Sequence, residues 1–168
     1  MKKIIFVCKG NIHRSVIAEA VFRKILKKQN LTNEIAVSSY GIQGTMGTRP
    51  PKGMQLSDYP REWQISQPIL QKFNIDITKH YFQTIAKGVI EDVDLVIAMD
   101  DEVHKESKNA LVKQFPAYMD KIYCFYKFTD GKSIKDLSGN VDPSSHEQVI
   151  KYIYQTLHTK FLNILKLL

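Results

Sequence analysis

Cysteine and long apolar runs are both scarce in this chain. Its 168 residues contain only two cysteines, Cys8 and Cys124, too few for a disulfide scaffold. No apolar stretch approaches the ~20 residues that a membrane-spanning helix needs. The apolar run in MKKIIFVCKG is about five residues long, shorter than the roughly 7–15 of a secretory signal peptide. We therefore expect one domain over residues 1–168, in the cytoplasm, with both thiols reduced.

Two further features are absent, and they narrow the function. There is no internal repeat or low-complexity tract, and the nucleotide-binding pattern G-x-x-x-x-G-K-[ST] does not occur, which argues against ATP or GTP binding. The net charge of +7 favours anionic partners such as phosphorylated substrates, nucleic acid or lipid head groups. Charge alone does not choose among them, and no aromatic-basic motif supports a nucleic-acid binder.

Strand and helix patterns alternate along the chain. Buried strands are predicted at residues 3–8, 34–39, 93–99 and 121–128. Helices are predicted at 15–28, 61–73 and 102–113, and a last helix starts at Asp142-Pro143. Its apolar stripe consists of Val149, Ile153, Leu157, Phe161 and Leu165. We expect this stripe to pack on the sheet, with a dimer face or a membrane contact as alternatives. The alternation predicts an α/β fold, a three-layer αβα sandwich around an open parallel sheet.

The stretch FVCKGNIHRS connects the first strand to the first helix. In open parallel sheets, ligands bind at the carboxyl ends of the strands, and Cys8 lies at that end. A strand-to-helix loop turns its backbone N–H groups inward, and the helix adds its positive dipole end. The residues of this predicted cradle for a tetrahedral oxyanion are Lys9, Gly10, Asn11, Ile12 and His13.

Three side chains around this cradle suit attack on phosphorus. Arg14 offers two parallel N–H donors to phosphate oxygens. The loop and the helix end favour the thiolate form of Cys8, and Ser15 is placed to donate a hydrogen bond to the sulfur. The alternative is a buried cysteine beside an ordinary helix-starting arginine. The strand before, the helix after, and the glycine and asparagine between them favour the functional interpretation.

A departing alcohol oxygen needs a proton, which calls for an acid beside the thiolate. Asp142, ahead of Pro143 and the last helix, is the predicted acid. Its alternative role is a helix N-cap, and spacing alone favours that alternative.

The segment VCKGNIHRSVIAE, residues 7–19, resembles the low-molecular-weight protein tyrosine phosphatase pattern V-C-x-G-N-x-C-R-S-x-x-A-E, with one departure at His13. The segments VSSYG, IDITKH and DLVIAMD and the late D-P extend the resemblance along the chain. It implies a flavodoxin-like sheet of order 2-1-3-4. It also implies hydrolysis through a phosphocysteine on Cys8, without metal or cofactor. Arg14 would bind phosphate, and Asp142 would be general acid and then general base.

The resemblance also assigns supporting roles. Asn11, Ser15, Ser39 and His80 match the hydrogen-bond network that holds the loop in this family, although ordinary polar residues would explain them from the sequence alone. Most members carry a second cysteine where His13 stands. We therefore expect oxidation of Cys8 without an internal rescue disulfide, and a loop histidine that faces outward.

Substitutions around the expected cleft bear on the substrate. Ser144 and Ser145 stand where tyrosines often follow D-P, and Lys9 follows the nucleophile, so a more polar and cationic mouth is expected. This shifts the preference toward acidic or smaller phosphoesters unless Tyr40 or the loop 41–53 rebuilds an aromatic wall. The arginine-phosphatase branch resembles this loop but carries threonine at the position of Ile12, which disfavours that substrate.

We therefore expect a phosphatase that acts on phosphotyrosine. The alternatives are another small or acidic phosphomonoester as substrate, or a phosphate-binding adaptor without turnover. The expected partner is a phosphorylated protein or small phosphoester, with no nucleic acid and no membrane insertion. We expect a monomer, with a weak dimer as the alternative.

Overall fold

The computed structural model describes residues 1–129 and 131–168, and its centre is a four-stranded parallel sheet. The strands are β1 (Lys2–Cys8), β2 (Ile35–Gly41), β3 (Leu95–Ala98) and β4 (Ile122–Cys124). They lie in the order β2-β1-β3-β4, and every neighbouring pair is parallel. The predicted α/β class and strand order are confirmed.

The central strand β1 is apolar along most of its length because both faces of the sheet are covered. Ile4 and Phe6 belong to the larger core on one face, and Ile5 and Val7 to the smaller core on the other. None of the four is more than 1% exposed. The carboxyl end of β1 is thereby held at the middle of the sheet edge.

The helices cover both faces of the sheet. They are α1 (Arg14–Lys28), α2 (Pro60–Lys72), α3 (Lys87–Asp92), α4 (Leu111–Gln114), α5 (Pro143–Thr159) and α6 (Phe161–Leu165). Helices α1, α2, α5 and α6 contribute to the larger core, and α3 and α4 to the smaller one. Short 3₁₀ turns lie at Leu56–Asp58, Pro116–Lys121 and Phe125–Phe128. Helix α1 starts directly after the loop that follows β1, so β1 and α1 together position that loop.

The continuous helix predicted at residues 102–113 is wrong. A single wide helical turn, Glu102–Glu106, is followed by a bend and a tight turn at residues 107–110, and α4 starts only at Leu111. The buried amide of Asn109 donates to the carbonyl of Ile42 at 2.7 Å. This side-chain bond to a distant carbonyl ties the non-helical segment to the residue that follows β2.

The last two predicted elements are partly confirmed. The fourth strand is shorter than predicted, because β3 ends at Ala98, paired with Cys124, and leaves no partner for residues 125–128. The stripe on the last helix packs into the larger core as expected, although the helix breaks at Lys160. Over the described residues, no helix combines the length and apolar character needed to cross a membrane.

Candidate active site

The loop after β1, here called the phosphate loop (residues 8–15), is pinned by the chain that follows β2. The amide of Ile42 donates to the carbonyl of Cys8 at 3.1 Å, and the amide of Gln43 donates to that of Lys9 at 2.9 Å. A Cβ on Gly41 would lie 2.9 Å from three backbone atoms of the phosphate loop. Glycine at this position therefore lets β2 approach the loop closely.

Asn11 is the centre of the hydrogen bonds that support the phosphate loop. Its φ of 54° is left-handed, a conformation that asparagine tolerates. Its Oδ1 accepts from the amide of Gln83 at 2.8 Å and from Nε2 of His80 at 2.9 Å. Its Nδ2 donates to Ser15 Oγ at 3.0 Å and to Ser39 Oγ at 2.9 Å. The structure thus brings together the four residues that the resemblance placed in one network.

Glu19 extends this network, and sequence reasoning assigned it no role. Its Oε2 accepts a 2.7 Å hydrogen bond from Ser39 Oγ and lies 3.8 Å from Nδ1 of His80. Burial lowers the pKa of His80, and the charge of Glu19 opposes that shift. The glutamate that ends the sequence motif was the signal from which a role for Glu19 could have been inferred.

The sulfur of Cys8 lies at the base of the phosphate loop with two donors directed at it. The amide of Asn11 donates from 3.2 Å and the hydroxyl of Ser15 from 3.0 Å. Cys8 is only 3% exposed. Both contacts stabilise negative charge on sulfur. Ser15 therefore occupies the position expected for a donor to the sulfur of Cys8.

Arg14 is buried beside the sulfur and is held by acidic partners. Its Nη1 donates to Asp100 and, at 3.3 Å, to the carbonyl of Ile134, while its Nη2 lies 3.5 Å from Asp136. Burial disfavours the charged guanidinium, but Cys8, Asp100 and Asp136 outweigh it and raise the pKa of Arg14. A buried charge held in this way keeps a fixed orientation. Sequence reasoning placed Asp100 only at a helix start, and its role depends on contact with a residue 86 positions away.

The two aspartates near the last helix have different surroundings. Asp142 caps α5, where its exposed carboxylate accepts from the amides of Ser144 and Ser145 at 3.3 and 2.9 Å. Hydrogen bonds from Ser145 and Ser144 lower the pKa of Asp142. Asp136 lines a cleft with Cys8 and Arg14, and Asp142 is absent from its lining over the residues the structure describes.

Sequence reasoning missed Asp136. Burial raises the pKa of its carboxyl, but the charge of Arg14 and the hydrogen bonds from Ser138 outweigh this and hold the pKa below its usual value. Its Oδ1 accepts from both the amide and the hydroxyl of Ser138 at 3.1 Å. The segment KDLSGN, an aspartate in a turn sequence just before D-P, was the available signal.

A sequence model of the family described as low molecular weight phosphotyrosine protein phosphatase matches residues 3–167. The chain belongs to this family. Among its relatives is the low molecular weight protein-tyrosine-phosphatase YfkJ of Bacillus subtilis, 34% identical over 103 residues, 61% of this chain but only 58% of that protein. The protein-arginine-phosphatase of Bacillus subtilis is 28% identical over 142 residues, 83% of this chain and 82% of that protein.

A solved structure supports the family fold. The low molecular weight protein tyrosine phosphatase from T. tengcongensis superposes with a TM-score of 0.75 at 22% identity, covering 97% of this chain and 99% of that one. The family model confirms the family resemblance drawn from the sequence, and this superposition confirms the flavodoxin-like arrangement.

The cleft above the phosphate loop has apolar walls, which suits an aryl group in this family. Its volume is about 110 Å³. Its apolar walls are formed by Ile12, Pro51, Leu56, Tyr59 and Leu137. Tyr40, the aromatic residue considered from the sequence, packs instead against the smaller core. The aromatic wall therefore comes from Tyr59, just ahead of α2.

Lys9 brings less positive charge to the cleft mouth than expected. Its Nζ lies 3.0 Å from Oε1 of Glu102, and the hydrogen bond to Glu102 raises the pKa of Lys9. The charge of Lys9 is therefore balanced by a carboxylate beside it, so an acidic preference does not follow from this lysine.

His13, which replaces the second cysteine of many family members, was predicted to face outward, and that prediction is wrong. Its ring packs edge-on against His146 at 5.4 Å between centroids, and its Nε2 lies 3.3 Å from Ser66 Oγ. Helices α2 and α5 supply these partners, and the ring is partly buried at the wall of the cleft. Burial, with the nearby charges of His146 and Arg14, lowers the pKa of His13 to about 3.

The neutral His13 should make the protein sensitive to acid. Its pKa is 6.5 unperturbed and about 3 when folded, so between these values the unfolded chain binds a proton that the native state lacks. Stability is full above pH ~6.5 and falls as the pH drops, by up to about 1.4 kcal/mol per pH unit from this group. His13→Gln keeps an N–H for Ser66 but cannot titrate. It should therefore flatten the dependence of the free energy of unfolding on pH, measured in urea between about pH 6 and 4.

The control for this prediction is His158→Gln, which removes a histidine exposed on α5. This variant should retain the wild-type pH dependence. An unchanged slope in His13→Gln would show that His13 is not the group responsible.

The second cysteine is poorly placed to rescue Cys8. Cys124 ends β4, and β3 lies between β4 and β1, so the Cα atoms of the two cysteines are about 10 Å apart. A disulfide requires Cα atoms within about 7 Å. Burial raises the pKa of the Cys124 thiol to about 11, which disfavours its reactive thiolate. Oxidation of Cys8 without an internal disulfide stays a prediction that these features support.

Proposed function

We propose that this protein hydrolyses phosphomonoesters, with phosphotyrosine in proteins as the substrate class, through a phosphocysteine on Cys8. The observation that carries the proposal is a buried sulfur that accepts two hydrogen bonds beside a guanidinium held by Asp100. Phosphate would bind the backbone N–H groups of the phosphate loop and the fork of Arg14. The apolar cleft with Tyr59 would bind the aromatic ring.

We propose Asp136, rather than Asp142, as the acid. Asp136 lies 3.5 Å from Arg14 and lines the cleft, whereas Asp142 is occupied as a helix cap. In the free protein Arg14 favours the carboxylate of Asp136. A bound phosphate dianion would offset the charge of Arg14 and place negative charge next to Asp136, which raises its pKa toward the protonated form.

The reaction then proceeds in two displacements. The Cys8 sulfur attacks phosphorus, the bond to the leaving oxygen breaks, and Asp136 gives that oxygen its proton. Water next attacks the phosphocysteine, the Asp136 carboxylate takes a proton from it, and phosphate leaves as the thiolate is restored. General acid–base catalysis of this kind contributes typically about 10²–10⁴-fold.

Two measurements test the proposal: which substrates the protein hydrolyses, and whether a phosphocysteine intermediate forms. The purified protein should hydrolyse p-nitrophenyl phosphate and a phosphotyrosine peptide in the presence of a chelator, and hydrolyse the matched phosphoserine peptide far more slowly. After acid quenching during turnover, mass spectrometry should find the phosphoryl group on the Cys8 peptide. Turnover without that adduct under single-turnover conditions would argue against covalent catalysis.

Phosphoarginine is a second candidate substrate, since a protein-arginine-phosphatase aligns with 83% of this chain. The apolar Ile12 at the cleft wall disfavours it, because a guanidinium there would lose hydrogen-bonding partners. A phosphoarginine peptide in the same assay decides between the two. A kcat/KM above that for phosphotyrosine would reverse our assignment.

The wall residue Tyr59 should control recognition of the aromatic ring. Tyr59→Ala removes the ring and should raise KM for a phosphotyrosine peptide by about tenfold, since stacking and burial of an aromatic pair contribute about 1–2 kcal/mol. Tyr59→Phe keeps the ring and loses only the hydrogen bond from the Gly53 amide to the phenol oxygen, 3.0 Å in length. It should remain close to wild type. Equal losses in both variants would show that loop support, not ring contact, is what Tyr59 supplies.

A further inference from the structure

A line of hydrogen-bonded groups connects the phosphate loop with the segment that carries Asp136. Ser66 Oγ lies 3.3 Å from Nε2 of His13 and 2.8 Å from Nδ1 of His146. Nε2 of His146 lies 2.8 Å from the carbonyl oxygen of Asn140. Ser66 and His146 are fully buried. We call these four residues the histidine bridge.

The neutral form of His146 gives the bridge a single direction. The Asn140 carbonyl can only accept, so Nε2 of His146 carries a proton, and in the neutral form of the ring Nδ1 accepts. Ser66 has one hydroxyl proton, which it must give to His146, so toward His13 its oxygen accepts. Nε2 of His13 therefore donates, and its Nδ1 is left as a buried acceptor with no partner in the described part of the chain. Removing the central hydroxyl would leave both rings unsatisfied.

The bridge ends close to Asp136. Asn140 lies four residues beyond it, and the Asn140 amide donates to the carbonyl of Leu137 at 2.9 Å. The side chain of Asn140 accepts from the amide of Asp142 at 2.7 Å. The turn from residue 137 to 142 is thus closed on itself, and His146 attaches it to α5 and, through Ser66, to α2. Arg14 and the buried Ile134 and Leu137 hold the other side of the segment.

We propose that the histidine bridge positions Asp136 over the phosphate loop, so that Ser66 and His146 are positioning residues for the acid step. The inference rests on the proposed function, because it requires Asp136 to be the acid. An acid works only within hydrogen-bond reach of the leaving oxygen, and a misplacement of about 1 Å can cost about 10²-fold in rate. The position of the turn next to Asp136 depends on His146, whose orientation depends on Ser66.

The test uses Ser66→Ala with two aryl phosphates. Phenyl phosphate has a poor leaving group that needs protonation, whereas 2,4-dinitrophenyl phosphate has a good one that does not. We expect kcat/KM to fall about tenfold for phenyl phosphate and less than about twofold for 2,4-dinitrophenyl phosphate. Ser66→Cys is similar in size and a weaker donor. It should show a smaller difference between the two substrates in the same direction, and it replaces Ser66→Ala as the test if that variant does not fold.

The control is Thr156→Val, which removes a buried hydroxyl from the same helix as His146, about 15 Å further along α5. This variant should change kcat/KM for neither substrate by more than about twofold. If Thr156→Val showed the same difference between the two substrates as Ser66→Ala, the proposal would be overturned, since any loosening of α5 would then have the same effect.

A double-mutant cycle separates positioning from general damage. In the Asp136→Asn background, Ser66→Ala should have no further effect on phenyl phosphate, because the group it positions is gone. Equal losses on both substrates, no loss at all, or an undiminished loss in the Asp136→Asn background would each overturn the inference. If Asp136→Asn alone shows no dependence on the leaving group, the proposed acid is wrong, and that failure is visible in the single variant.

Discussion

Cys8→Ser should lose essentially all turnover, with kcat on p-nitrophenyl phosphate reduced by at least about 10⁴-fold. The serine oxygen is a much weaker nucleophile at neutral pH than the sulfur of Cys8, which accepts hydrogen bonds from Asn11 and Ser15. Binding should survive, because the loop amides and Arg14 remain. Vanadate or phosphate should therefore still protect the variant against thermal unfolding.

The matched control for this prediction is Cys124→Ser. Cys124 is the other free thiol and is buried at the end of β4. It should retain activity close to wild type even if its melting temperature falls. Comparable activity in both variants would remove Cys8 from the mechanism, and a loss of vanadate binding in Cys8→Ser would show that the loop itself had been disturbed.

The second large effect distinguishes the two aspartates. Asp136→Asn should lower kcat/KM for phenyl phosphate by about 10²–10⁴-fold, because the leaving oxygen then departs without a proton. The loss should shrink on 2,4-dinitrophenyl phosphate. The alkaline limb of the pH–rate profile should also disappear, since that limb reports loss of the proton from the acid as the pH rises.

Asp142→Asn is a close control, because asparagine is also a good helix N-cap. It should keep both the leaving-group dependence and the melting temperature of the wild type. Asp142→Ala, which cannot accept from the amides of Ser144 and Ser145, should lower the melting temperature by a few degrees without changing that dependence. A leaving-group-dependent loss in Asp142→Asn and not in Asp136→Asn would return the acid role to Asp142.

The parts of the molecule that were predicted well depend on neighbouring residues in the chain. The first strand, the phosphate loop and the first helix are contiguous, so apolar runs and the C-x₅-R motif indicate their structure directly. The same holds for the alternation of strands and helices that predicts the parallel sheet. The helix predicted at residues 102–113 is interrupted at residues 107–110, where the side chain of Asn109 contacts Ile42, 67 positions away, and nothing in the local pattern indicates such a contact.

In the candidate site too, residues placed by the local motif were predicted, and residues placed by distant contacts were not. Asn11 and Ser15 were expected from the motif, and they lie where it placed them. Asp100, Glu19 and Asp136 were assigned no role in the site, because each acts through a partner distant in sequence. His13 was predicted to face solvent because a loop gives no sign of what will pack against it. Residues of α2 and α5 contact its ring.

The sequence by itself determined a buried strand, the loop predicted to bind phosphate and a thiol at its base, because these residues are contiguous and their apolar run and motif indicate a strand-to-helix turn directly. Only the tertiary structure decided which aspartate faces that cradle. Asp136 and Asp142 are six positions apart in similar turn-rich sequence, and both have local hydrogen bonds that suit a carboxylate. A contact between residues far apart in sequence makes the difference, because Asp136 lies 3.5 Å from Arg14 on α1, whereas Asp142 caps α5 and is exposed to solvent.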